Sequence, residues 1–227
     1  MKNILYIIAL ITIVTFSSCT SETSYYDTLD ETQAAFLFTG TTQGIQALLG
    51  PAYSKLTQEL QMPINAGSNP PNLNGNYPLF EQETIANIFD PNVVPWISDN
   101  RFIHINLINQ DNSNLTIDYQ GFFMDAGADG QPLGGDDSVV LTEAREGQVY
   151  VSGDSTTGAF TIFARALVDG GPTVDIIAIS GIRTATGVDN LQYAYVTYDN
   201  GDPDTGTIID GNTFRDADMV SNSFVWP

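Results

Sequence analysis

Carboxylates concentrate in one segment of this chain, residues 125–137, which reads DAGADGQPLGGDD. Asp125, Asp129 and Asp136 have part of the spacing of the oxygen donors in a calcium-binding loop, and Gly130 permits the sharp turn that such a loop requires. The segment departs from an EF-hand loop, because glycine and aspartate replace two of the expected ligands and strands flank it. We therefore hypothesise a calcium site at these three aspartates, with a solvated hairpin tip as the alternative.

A second acidic turn, DNGDPDTG at 199–206, adds Asp199, Asp202 and Asp204. In a strict antiparallel meander, consecutive turns alternate between the two ends of the sheet. Because EAREG at 143–147 also has the composition of a turn, the segment 125–137 and the turn 199–206 are predicted to lie at opposite ends. The two acidic segments would then not share one ion.

The chain carries little that indicates catalysis. His104 is its one histidine, and a single histidine does not build a multi-histidine zinc site. No G-x-S-x-G sequence supports a serine nucleophile. We interpret His104 as a residue on the polar face of a strand and predict that the protein is not an enzyme. Paired carboxylates for glycoside hydrolysis stay open, because sequence does not give their separation.

Four aromatic side chains are candidates for a binding surface. Tyr193 and Tyr195 project from the same face of a predicted strand, whereas Trp96 lies in a proline-rich stretch and Trp226 lies near the C-terminus. Exposed rings stack on sugars or anchor protein interfaces. The alternative for the two tyrosines is a place in the core.

Alternation of apolar and polar residues positions these side chains from residue 101 onward. The pattern predicts that 103, 105, 107, 115, 117 and 119 face inward and that 104, 106, 116 and 118 face outward. The runs 159–168 and 174–182 are apolar on both faces, so those strands are predicted to be covered on both sides.

The predicted fold class is all-β. Residues 101–227 form an antiparallel meander of about eight strands, in a barrel or a sandwich, since short turns separate the strands. Residues 29–62 form a small helical segment with starts near Leu29 and at Pro51. The intervening stretch 63–100, rich in proline and asparagine, is predicted to be a loop.

Charge limits the partners of this chain. It has 7 basic and 27 acidic residues, which give a formal net charge of −20. Binding to nucleic acid or to anionic head groups requires clusters of lysine and arginine, and the bases here are scattered. We predict no nucleic-acid partner. A single cysteine excludes an intramolecular disulfide.

The N-terminus carries a targeting pattern. Lys2 precedes an apolar run of thirteen residues from Ile4 to Phe16, and small residues lead directly to Cys19. The run is too short to span a bilayer as a helix. Residues 1–19 resemble a bacterial lipoprotein signal, although Phe16 stands where that family prefers Leu, Val or Ile. The resemblance implies a signal peptide at 1–18, lipidation of Cys19 and a polar tether over 19–28.

The relaxed signal and the composition rich in Asn, Tyr and Asp are similar in style to envelope lipoproteins of the Bacteroidota. Three tripeptides resemble O-glycosylation sites of that phylum; they begin at Asp27, Asp137 and Asp154. The resemblance implies a lipid-anchored protein of the outer membrane, on its periplasmic or cell-surface face.

We expect a non-catalytic binding or accessory subunit of an outer-membrane assembly, since an anchor and a β scaffold occur here without a concentrated catalytic set. Its expected partners are the membrane, through the lipid on Cys19, and envelope proteins or glycans. One alternative is a barrel that carries a small apolar ligand, which needs an unfilled interior. The other is a glycan hydrolase that uses paired carboxylates.

Overall fold

The computed structural model describes residues 38–79, 82–94, 97–98, 101–125, 140–167, 172–216 and 220–222. The predicted signal peptide, the lipidation site at Cys19, the tether and the helix start near Leu29 lie outside these residues. The described part of the chain is dominated by strands, with one short helical region.

The strands belong to a single twelve-stranded sheet. Their bounds are β1 Ser68–Asn69, β2 Gly75–Leu79, β3 Gln82–Asn87, β4 Ile97–Ser98, β5 Arg101–Asp111, β6 Thr116–Asp125, β7 Val140–Asp154, β8 Ala159–Leu167, β9 Val174–Arg183, β10 Gly187–Tyr198, β11 Ile208–Asp216 and β12 Val220–Asn222.

The order of the strands confirms the antiparallel meander and distinguishes a barrel from a sandwich. Strands β5 to β11 pair consecutively and antiparallel. Strand β2 then pairs with β5 at one edge, while β3 pairs with β11 at the other. Because β2 and β3 follow one another in the chain, they bring the two edges of the sheet together, and the sheet nearly closes into a barrel.

The predicted inward face is confirmed in the first hairpin. Ile103, Ile105, Leu107, Ile117 and Tyr119 are all buried in one cluster with side chains from β2, β7, β8, β9 and β10. The prediction fails for Leu115, which lies just before β6 with a φ of 55° and is buried in a second cluster instead.

His104 differs from the expectation of a solvent-facing residue. It lies on the face opposite Ile103 and Ile105, as the alternation requires, yet it is only 7% exposed. Burial lowers the pKa of its imidazole, so the side chain stays neutral down to a lower pH than an exposed histidine would.

A short helical region covers the outside of the barrel. Helix α1 (Thr42–Leu49) is followed by α2 (Ala52–Ser54), which continues as a π-helix over Lys55–Glu59. Thr41 caps α1 by accepting the backbone N–H of Gly44, and Gly50 ends it with a φ of 52°. Pro51 then starts the second helix, as predicted for this position.

These helices bury the outer face of the central strands. Their apolar residues Ile45, Ala52, Leu56 and Leu60 are fully buried. They form a second cluster with side chains of β8, β9 and β10, namely Phe163, Val174, Ile176, Ala178, Ala194, Val196 and Tyr198. The prediction that strands in 159–168 and 174–182 are covered on both sides is therefore confirmed.

The stretch 63–100 is not the irregular loop that its composition predicts, since β2, β3 and β4 lie within it. Pro78 stands in β2, where a missing N–H is tolerated because the strand lies at an edge of the pairing order. In β3 buried and partly exposed residues alternate, but polar residues occupy buried positions. Gln82 and Thr84 are buried, while Ile85 is only half-buried. Apolar periodicity therefore gave no strand signal there.

The chain leaves β6 and β10 at the same end of the sheet, so the prediction that the two acidic connections start at opposite ends is wrong. Strand β7 runs unbroken from Val140 to Asp154, so the EAREG sequence at 143–147 belongs to a strand and does not reverse the chain. With that turn removed, the connections after β6 and after β10 fall at the same end of the meander. Polar residues and a glycine gave this strand the composition of a turn.

Candidate functional site

Most of the predicted site residues lie outside the described part of the chain. This holds for Cys19, Trp96, Asp129, Asp136 and Trp226. Asp125 is the last residue of β6, and its side chain is outside the description. Within the described residues, no group of three or more His, Cys, Asp or Glu side chains is placed to hold a metal ion. Calcium binding by the segment 125–137 stays a prediction.

The carboxylates of the second acidic turn bond to their own backbone. Asp202 accepts the N–H of Asp204 and the hydroxyl of Thr205, and these bonds hold its pKa below the usual value. Asp199 accepts the N–H of Thr207 at 2.9 Å. Both aspartates therefore shape the turn, as side chains of this type commonly do.

The two tyrosines of β10 have different surroundings. Tyr193 is fully buried in the barrel interior, so its ring is not presented at a surface. Tyr195 packs against the same cluster but is only partly buried. The ring centroids lie 6.4 Å apart. Tyr195 is thus the described candidate that solvent reaches.

Five inward-facing side chains, which we call the polar recess, stay partly exposed although the barrel nearly closes around them. They are Asn87 of β3, Tyr195 of β10, and Asp210, Asn212 and Phe214 of β11. On β9, beside Tyr195 and Tyr193, the inward-facing Ile177 and Ile179 are buried. Inward-facing side chains gain exposure where the interior opens to solvent, so the polar recess marks an opening at β11 and β3.

Strand register brings the recess together from distant parts of the chain. Tyr195 pairs with Asn212 across β10 and β11, and Asn212 pairs with Asn87 across β11 and β3. Directly paired residues on one face of a sheet have Cβ atoms about 5 Å apart. The three side chains therefore form a row across the wall of the barrel.

Hydrogen bonds fix four of the five side chains. Asn87 Nδ2 donates to Asn212 Oδ1 at 2.7 Å. Asn212 Nδ2 donates to the hydroxyl oxygen of Tyr195 at 2.8 Å and to Asp210 Oδ1 at 3.0 Å. The Tyr195 hydroxyl donates to Asp210 Oδ2 at 2.8 Å. This closed network orients the groups before any ligand arrives, which lowers the entropic cost of binding.

The protonation state of the network follows from its charges. Burial, the hydrogen bond to Asp210 and the nearby carboxylate of Asp175 all raise the pKa of the Tyr195 phenol. The phenol therefore remains neutral and stays a donor at physiological pH. Asp175, only 1% exposed, lies one row further along β9 and accepts from the hydroxyl of Thr197 at 2.5 Å.

Apolar groups lie inside and beside the polar recess. The rings of Tyr195 and Phe214 have centroids 6.3 Å apart with an interplanar angle of 30°. Phe89, whose N–H bonds to Asn87 Oδ1, is 61% exposed, and Ile209, next to Asp210, is 51% exposed. Rings beside amide and carboxylate groups suit a ligand that has both apolar faces and hydroxyl groups.

Sequence reasoning identified Tyr195 but missed its partners. Asn87 falls in the stretch predicted to be loop. Asp210, Gly211 and Asn212 fall in no predicted strand, since Asp-Gly is typical of hairpin turns. In the structure this tripeptide lies within β11. The one available signal was the weak alternation of Asp210, Asn212 and Phe214.

Within the described residues, no helix has the length and apolar character needed to cross a membrane. Comparisons with family models, with curated proteins and with solved structures found no match for this chain.

Proposed function

We propose that this chain is a lipid-anchored protein of the bacterial outer membrane that acts as a non-catalytic binding or accessory subunit. The polar recess is its ligand site. One observation carries this proposal: hydrogen-bonding side chains that face the barrel interior are already ordered by one another, and they are reachable from solvent. Such convergent groups in a concave setting are typical of a binding site.

The described chain enters the barrel at one end, and the polar recess lies toward the other. The first described residues join the barrel near the turn between β7 and β8, where Gly40 O accepts the N–H of Gly67 and Gly67 O accepts the N–H of Gly153. The polar recess lies toward the opposite end of β10. Residue 38 therefore joins the barrel away from the end at which the ligand site lies.

Charge supports a neutral or cationic partner. The chain carries a net charge of −20, and Asp175 and Asp210 lie at the recess itself. An anionic ligand would be repelled at long range and would meet like charge on contact. Neutral glycans and the uncharged or basic surfaces of envelope proteins fit this field.

The proposed lipid anchoring to the membrane is tested by Cys19→Ser in the full-length protein. The expected result is loss of fatty-acid labelling and release from membranes. Persistence of either property in the variant would contradict the lipid anchor.

The ligand site is tested by what co-purifies with the lipoprotein from detergent-solubilised membranes. Asp210→Asn combined with Tyr195→Phe should abolish retention of the native ligand, because it replaces the carboxylate and its donor. Asp118→Asn, on the outer face of β6, is the matched control and should retain the ligand. Equal retention by both variants would remove the polar recess as the site.

A hydrolase is the second candidate, and one observation favours it. Thr197 of β10 pairs with Asp175 of β9 on one side and with Asp210 of β11 on the other, so two carboxyl groups lie on either side of one strand. Turnover of a glycan that is abolished by either Asp175→Asn or Asp210→Asn would establish hydrolysis. The apolar-carrier alternative gains no such support, since Tyr77, Phe160 and Tyr193 occupy the described interior.

A further inference from the structure

Two buried donors on β3 make no hydrogen bond. Thr84 is 3% exposed and Gln82 is 4% exposed, and neither Thr84 Oγ1 nor Gln82 Nε2 has a partner. Leaving a buried donor unsatisfied costs about 1–3 kcal/mol, so folded proteins rarely retain one without a reason. A bound ligand that supplies an oxygen acceptor is such a reason.

Strand register places both donors on the wall of the polar recess. Thr84 pairs directly with Phe214, and Gln82 pairs with Asp216, across β3 and β11. Phe214 is partly exposed, whereas Thr84 beside it is buried. The donors therefore lie on the deep side of the opening, beyond the ring that solvent reaches.

We propose that the polar recess binds a neutral glycan of at least two sugar units, and that Thr84 and Gln82 donate to oxygens of the unit that lies beyond Phe214. The inference rests on the proposed function and names its ligand class. The C–H face of a sugar ring packs on Tyr195 and Phe214. Its hydroxyl groups donate to the free lone pair of Asp210 Oδ2 and accept from the second N–H of Asn87.

The charges select among glycans. Asp210 and Asp175 pair with Thr197 from opposite sides, and Asp216 follows on the inner face of β11 beyond Phe214. A uronic acid or a phosphorylated sugar would bring a further negative charge against these carboxylates. Neutral sugars avoid that repulsion, so discrimination against acidic glycans is part of the proposal.

The test is calorimetric titration of the full chain with a panel of neutral oligosaccharides and their uronic-acid-containing counterparts. Thr84→Val keeps the shape of the side chain and removes the hydroxyl. We expect it to raise Tm, because an unsatisfied group disappears, and to weaken binding of the neutral sugar about tenfold. Gln82→Met should weaken binding in the same direction and provides a second variant if the first does not fold.

Thr213→Val is the matched control. Thr213 precedes Phe214 in β11 and faces the outside of the barrel, where its hydroxyl donates to Leu60 O at 2.7 Å. This change should lower Tm and leave the dissociation constant unaltered. Equal affinity of wild type and Thr84→Val, or equal affinity for neutral and acidic sugars, would overturn the inference. If no sugar binds while the double variant of the polar recess still loses its native ligand, the glycan assignment fails and the binding function stands.

Discussion

Asn65 joins the segment before β1 to the outer face of the barrel, and its truncation is a sharp test of the architecture. Its Nδ2 donates to Ser180 Oγ at 2.8 Å and to Phe160 O at 3.0 Å. Its backbone N–H donates to Thr161 Oγ1, and its carbonyl accepts from Ser152 Oγ. One residue thereby satisfies the polar side chains of three strands that are otherwise covered by apolar groups.

The cost of Asn65→Ala follows from these bonds. The substitution removes the two bonds of Nδ2 and leaves the two backbone bonds in place. Ser180 Oγ still donates to Phe160 O at 3.0 Å, so that carbonyl keeps a partner. At about 0.5–1.5 kcal/mol for each net hydrogen bond, the expected loss of unfolding free energy is about 1–3 kcal/mol.

Chemical denaturation measures this loss, and Asn69→Ala is the matched control. The side chain of Asn69 makes one exposed hydrogen bond, from Nδ2 to Ser155 Oγ at 2.6 Å, so truncating it to alanine should cost less than about 0.5 kcal/mol. A double-mutant cycle of Asn65→Ala with Ser180→Ala should show coupling. Equal costs for the two asparagine variants, or no coupling in the cycle, would refute the role assigned to Asn65.

Four further predictions concern the core, the exposed turns and calcium. Leu56→Ala should cost about 2–5 kcal/mol in denaturation, because the side chain is fully buried under the helices, whereas the exposed Gln58→Ala should cost less than about 0.5. Ile105→Asp should leave the protein unfolded by circular dichroism, since it buries an unpaired charge in the barrel interior. Hydrogen bonds in exposed turns lower the pKa of Asp111, Asp154 and Asp202. The ionised carboxylates therefore stabilise the fold fully above about pH 4, and Tm should fall as the pH drops through the lowered pKa values. Millimolar calcium should raise Tm relative to chelator if the segment 125–137 binds it, and an unchanged Tm would contradict that site.

The candidate site was harder to predict than the fold, and its residues show why. Tyr195 was identified from its place on an alternating strand. Asn212 was missed because asparagine next to glycine is usual in turns, and Asn87 was missed because it falls in the stretch predicted to be a loop. Their convergence depends on pairing across two strand boundaries, between segments more than a hundred residues apart. No local pattern contains that information.

The sequence by itself determined which residues face inward in the first hairpin and which strands are covered on both sides. Alternation with a period of two, as in Ile103, Ile105 and Leu107, fixes the buried face, because burial of these groups is the dominant favourable term. The continuous apolar runs of β8 and β9 likewise require that both faces of these strands be buried. Local chemistry also set the helix start at Pro51.

Only the tertiary structure decided where the barrel closes and where it opens. Closure depends on β2 and β3, and the inward residues of β3 include Gln82 and Thr84, so that strand carries no hydrophobic signal. The opening at Tyr195 and Asn212 depends on which strand lies beside β11. Closure and opening both follow from pairing between distant strands. This pairing stabilises the fold only after the distant segments are in contact, so no local stretch of the chain predicts it.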